Sequence, residues 1–230
     1  MRHTLRHMKT YKILYLVSLW MIYWLAVAGA TIYVLPLYLN ADQLHNSWIT
    51  CIHFSIFAIV SAKFFKVHES LPHLEKTQLQ ILAAVLMAVV FVLFTWAYDS
   101  YAGLSDKASG LILVSKLYYP LFSVQTTIPK VFDIVFQQIT IFGFIKYLLS
   151  KDFEKKQVMI MMWLAFACLH TPLLLGGSVY GVTFVLPSLF AGLLFTYLIL
   201  NFRYGLALSF AMHLCLYFGT GVVLRTFYSR

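Results

Sequence analysis

The chain is predicted to be all-α, a polytopic membrane helical bundle of about eight transmembrane helices, and three observations carry that prediction. First, 61% of its 230 residues are hydrophobic and only 11% are charged, giving a mean hydropathy of +0.82, far from the balance of a water-soluble domain. Second, the charges fall in short breaks between apolar runs of the length that spans hydrocarbon. Third, one run carries two adjacent side-chain amides, which hydrocarbon cannot solvate, so their partners must be sought inside a bundle.

The runs follow in order. A basic tail with Arg2, Arg6, Lys9 and Lys12 precedes an apolar run over 13–39, long enough for a tilted span. It is too long, and too closely followed by others, to read as a cleaved leader. After Asp42 comes 48–65, then a polar stretch with Lys66, Glu69, Glu75 and Lys76 broken by Pro72. The third run is 79–98, closed by turn residues from Asp99 to Ser109. The fourth, 110–128, is interrupted by Lys116, Pro120 and Gln125, so it is read as broken or partly interfacial. The fifth is 131–149, followed by a charged loop from Ser150 to Gln157. The last three are 158–175, which ends in Gly176-Gly177, then 179–201 and 204–224. Together they form a single integral membrane domain over 1–230, with N-terminal helices in 13–128 and a motif-bearing core in 131–218. No internal repeat or soluble domain is visible.

Orientation rests on the distribution of Lys and Arg between short loops. With eight crossings and the N-terminus inside, ten basic residues fall inside and six outside, the latter including Lys151, Lys155 and Lys156. The expectation is therefore a multi-pass protein of the cell membrane with a cytoplasmic N-terminus. The basic 151–156 loop dissents, and it moves inside if the fourth run does not cross. The formal charge of +9 lies at segment ends and not in one patch, so lipid headgroups and not nucleic acid are the expected partner. The cysteines Cys51, Cys168 and Cys215 all lie in apolar runs with no framework spacing, which argues against structural disulfides. Tryptophans and tyrosines are expected mainly at interfaces and on lipid-facing surfaces.

The candidate functional residues are Asp133, Gln137, Gln138, His170 and His213. Gln137 and Gln138 stand in the first half of the fifth run and His170 in the last turns of the sixth, so antiparallel helices bring them to similar depth. Asp133 lies one turn before Gln137 on the same helical face, and His213 lies near the middle of the last run. An intramembrane polar cluster is a functional hypothesis by default. The blander readings are packing histidines, and an Asp133 held at a helix N-terminus by the dipole. No metal and no cofactor are expected. Cys168 and Cys215 are two residues from their histidines, hence near-opposite on a helix, and no H-E-x-x-H is present. Ser178 after two glycines, with His213 downstream, is a poor match to a serine–histidine dyad.

In order and spacing these residues resemble the CAAX protease and bacteriocin-processing family, also called the Abi or CPBP family, of intramembrane glutamate proteases. The family's E-E-x-x-x-R motif aligns with Gln137-Gln138-Ile-Thr-Ile-Phe142, followed by Gly143. Its F-x-x-x-H motif is matched by Phe166-Ala-Cys-Leu-His170, and its H-x-x-x-N motif aligns with His213-Leu-Cys-Leu-Tyr217. Pro187 to Leu194 is similar to the connecting helix, and the resemblance covers Val131 to Phe218. It implies a helical bundle with a water-activating centre acting on prenylated or leader peptides. Three chemical positions depart from it. Glutamine cannot accept a proton as a general base must, Phe142 removes a cation, and Tyr217 replaces an amide. The expectation is a pocket that binds a lipidated or membrane-inserted peptide, or another membrane protein. An active peptidase or immunity protein using Asp133 and a histidine is the alternative, and a small transporter is a further one.

Overall fold

A computed structural model describes residues 2–41, 46–70, 87, 124–171 and 179–228. The third run apart from Met87, the fourth as far as residue 123, Lys76, Lys107, Lys116, Trp96, Gly176-Gly177 and Ser178 lie outside the described residues. Among the described residues the protein is helical and no strand is formed.

The first helix, α1 (Arg2–Gly29), continues through a π-helical turn (Ala30–Val34) into α2 (Leu35–Leu39). Pro36 explains the widened turn. It has no N–H to offer the carbonyl one turn back, and its ring needs room, so the ladder slips by one residue. Asn40, in the left-handed conformation (φ 46°), ends α2, and its carbonyl accepts from the Asn46 side-chain amide at 3.0 Å. Then follow α3 (Ser47–Phe64) and the short α4 (Val67–Ser70).

The next described helix, α5 (Val124–Leu149), does not start at residue 131 as the sequence suggests. Pro129 lies within it as its sixth residue, so the helix gives up one backbone bond there and the apparent break before Val131 is absent. A tight turn, with Asp152 at φ 60°, leads to α6 (Lys155–His170). Its start is a capping box in which Gln157 Oε1 accepts from the Glu154 backbone N–H at 3.0 Å. The final pair is α7 (Val179–Asn201) and α8 (Gly205–Tyr228).

Among the described residues three helical stretches are long and apolar enough to cross a membrane: Leu14–Leu39, Ser47–Phe64 and Ile128–Leu149. The shorter Val185–Asn201 and Gly205–Tyr217 are also apolar. Burial separates their roles. In the most apolar part of α5 67% of residues are buried, against 22% in the spans of α1–α2 and α3. Large side chains such as Ile22, Leu37, Ile59 and Phe64 are exposed on those outer helices, a surface suited to lipid.

Contacts fix the helix directions. Phe54 meets Phe136, Ser61 meets Thr140, and Phe65 meets Phe144, so numbers rise together and α3 runs parallel to α5. Trp24 meets Phe136 and Trp20 meets Phe144, so α1 is antiparallel to α5. Lys130 meets Tyr217 and Gln138 meets Ser209, so α8 is also antiparallel to α5. We call basal the end where α1, α6 and α8 begin and α3, α5 and α7 end, and apical the other.

Small residues allow the closest approaches. A Cβ on Gly143 would lie 2.5 Å from the Phe65 Cβ, and one on Gly192 would lie 2.8 Å from the Phe166 Cβ. This is the small-residue packing that membrane helices use where hydrophobic driving force is absent. Trp20 and Trp24 are buried in the core and not at an interface as expected. Trp48 and Trp163 are exposed. Trp20 stacks on Phe144 with ring centroids 5.1 Å apart.

Candidate functional site

On the apical half of α5 one face carries four polar side chains in two turns. Lys130 and Asp133 are both buried, at 6% and 8% exposure, and their charged atoms are 2.6 Å apart. The ammonium also lies 4.0 Å from the centre of the Tyr217 ring on α8, where the π-face is attractive to a cation. The other oxygen of Asp133 accepts from the Gln137 amide at 2.8 Å. Asp133 therefore stands in the third turn of α5, paired with a lysine. The dipole account of it, which requires a first-turn position, does not apply.

One residue further round the helix, Gln138 is 1% exposed and is held between two side chains of α8. Its Nε2 lies 2.8 Å from His213 Nδ1, and its Oε1 accepts from the Ser209 hydroxyl. An amide nitrogen only donates, so His213 Nδ1 is the acceptor and the neutral ring carries its proton on Nε2. His213 packs against Phe195, with centroids 4.8 Å apart, and Tyr217, at 6.0 Å.

His170, in the last turn of α6, is bound differently. Its Nδ1 lies 2.8 Å from the Phe166 carbonyl. A carbonyl only accepts, so the proton of this ring is on Nδ1 and Nε2 presents a lone pair. The ring stacks on Phe166 at 6.0 Å, which in turn meets Phe195 at 6.2 Å. Phe166 and Phe195 thus connect the two histidines.

The structure joins Gln138 to His213 and Gln137 to Asp133. It places His170 across Phe166 and Phe195, without a hydrogen bond to either glutamine. Lys130 and Ser209 were not among the residues singled out from sequence. A Lys130-x-x-Asp133 spacing is the i,i+3 signal that identifies the first. Ser209 lies four residues before His213 and so shares its face. Phe142, at the position where the CAAX-type motif has Arg, is buried, with the Lys146 ammonium 5.4 Å from its ring centre.

Among the described residues no three His, Cys, Asp or Glu side chains gather to hold a metal ion. Cys168 and Cys215 are exposed and Cys51 is half-buried, all as free thiols. Comparison of the chain with protein-family models, curated proteins and solved structures finds no match in any of the three.

Proposed function

We propose that the chain is a multi-pass protein of the cell membrane, a divergent relative of CAAX-type intramembrane proteases. Its interior polar cluster binds a lipidated or membrane-inserted peptide, or a partner membrane protein, without hydrolysing it. One observation carries this reading: the groups that would have to activate water are already engaged with each other. Asp133 is paired with Lys130 and bonded to Gln137, and both ends of the Gln138 amide are bonded, to Ser209 and His213. Neither amide can take a proton. What the cluster still offers is an Nε2–H donor on His213 and an acceptor nitrogen on His170. Such groups suit a peptide's carbonyl and amide better than they suit the generation of hydroxide. The free His170 nitrogen also favours a second reading, a weak peptidase with His170 as base.

Purified protein incubated with prenylated and leader-type peptides is expected to show no turnover. A photo-crosslinkable version of the same peptides should label the wild type, and labelling should fall in Gln138→Leu and His213→Ala. Turnover by the wild type that disappears in His170→Ala would establish the peptidase instead.

The same placement implies a topology. Parallel α3 and α5 require the chain between them to cross an odd number of times, whereas a count of eight spans needs two crossings there. With 79–98 as the one crossing, we infer seven spans with the basal end cytoplasmic. Lys146, Lys151, Lys155, Lys156 and Arg203 then join the N-terminal tail, Lys63, Lys66 and Lys76 inside. Twelve of the 17 Lys and Arg are then cytoplasmic, and the dissenting loop obeys the positive-inside tendency.

A further inference from the structure

A lateral cleft of about 340 Å³ lies between α1, α3 and the basal part of α5, within the range of ligand-sized clefts. It exists because large side chains hold α1 away from its neighbours. Trp20 stacks on Phe144, and the Tyr23 hydroxyl lies 2.9 Å from Ser61 Oγ. Leu19, Val60 and Phe64 line it and are exposed, so it opens to the side of the bundle and not to either end. Trp20 Nε1, belonging to a lining residue, is buried without an acceptor.

The basal mouth of the cleft is basic. Lys63 stands in the last turn of α3 and Lys66 just after it, while Lys151 lies 5.4 Å from the ring centre of Tyr147, itself a lining residue. Glu69, 3.3 Å from Lys66, and Asp152 reduce this charge without cancelling it. An occupant complementary to both features is apolar along its length and anionic at one end. We propose that the cleft holds one acyl chain of an anionic phospholipid, with its phosphate on Lys63, Lys66 and Lys151. The proposal rests on the membrane placement above and is independent of the polar cluster.

The full-length protein, purified from membranes and delipidated, would be titrated with phosphatidylglycerol or phosphatidylcholine and read by native mass spectrometry. In parallel, quenching of tryptophan fluorescence by brominated acyl chains would be compared between the wild type and Trp20→Phe. Phosphatidylglycerol should be preferred by about fivefold per engaged lysine. Lys63→Gln/Lys66→Gln/Lys151→Gln, all surface changes, should abolish the preference but keep quenching. Leu19→Phe/Val60→Phe should lower retention of both lipids and remove the Trp20 share of quenching. Equal binding of the two lipids by the wild type would overturn the proposal, as would quenching that is the same with and without Trp20. The latter is the result expected if another segment of this chain or a second copy fills the cleft. Recovery of the protein in the soluble fraction would instead sink the membrane placement itself.

Discussion

Lys130 is 6% exposed, and Asp133 and the Tyr217 ring are what surround its ammonium. Removing one member of a buried ion pair strands the other, which typically costs about 3–5 kcal/mol, whereas replacing both by apolar groups is often neutral. Lys130→Met should therefore destabilise the protein strongly in thermal unfolding in detergent. Lys130→Met/Asp133→Leu should recover most of that loss. If the double variant is as unstable as the single one, Asp133 is not the partner that matters. The residue scale also marks the limit of what sequence reveals. Asp133, Gln137, Gln138 and His213 stand out because polar side chains are rare in apolar runs. Lys130 fell between the fourth and fifth runs and so read as a loop charge, and Ser209 is a residue type too common in membrane helices to be singled out. No pattern in the sequence specifies that Gln138 would bond to α8 while His170 bonds to its own helix, since both depend on rotamers chosen by tertiary packing.

At the scale of elements, the apolar runs delimited α3, α6, α7 and α8 to within a few residues, because a span must bury its backbone polar groups and shows this as length. The start of α5 was placed at 131, whereas the helix runs without a break from Val124 through Pro129. Helix packing depends on two glycines in different degrees from a third. Gly143→Ala places a methyl 2.5 Å from the Phe65 Cβ, an atom close to the backbone that no rotamer change can move. Overpacking of this kind costs about 1–3 kcal/mol. Gly192→Ala faces the Phe166 Cβ at 2.8 Å and should also destabilise. Gly29→Ala meets nothing within 4 Å and should raise stability, by up to about 1 kcal/mol from helix propensity. Melting temperatures ranked Gly29→Ala highest and Gly143→Ala lowest would support this packing. Equal values for all three would show that α3 and α5 do not approach as described.

For the whole molecule, direction of crossing is the property that links the sequence to the site. Basic residues alone left two orientations for the 151–156 loop, since the number of crossings before it was not legible from run lengths. On the proposed membrane placement, the parallel pairing of α3 and α5 puts that loop on the side that bears the N-terminus. On the proposed topology the polar cluster, carried by α5 from Lys130 to Gln138, the end of α6 and α8 from Ser209 to Tyr217, runs from the apical side toward the middle of the membrane. Replacing Cys51, Cys168 and Cys215 by alanine gives a background for single reporters. Ser150→Cys should react with an impermeant thiol reagent from the side that bears the N-terminus. Asn46→Cys and Thr171→Cys should react from the opposite side. If Ser150→Cys labels together with Thr171→Cys, α6 does not cross and the bundle direction is wrong. If it labels opposite to the N-terminus while Thr171→Cys labels on the N-terminal side, the chain between α3 and α5 crosses an even number of times. In that case the polar cluster faces the cytoplasm, and peptides presented from that side become the ones to test for binding.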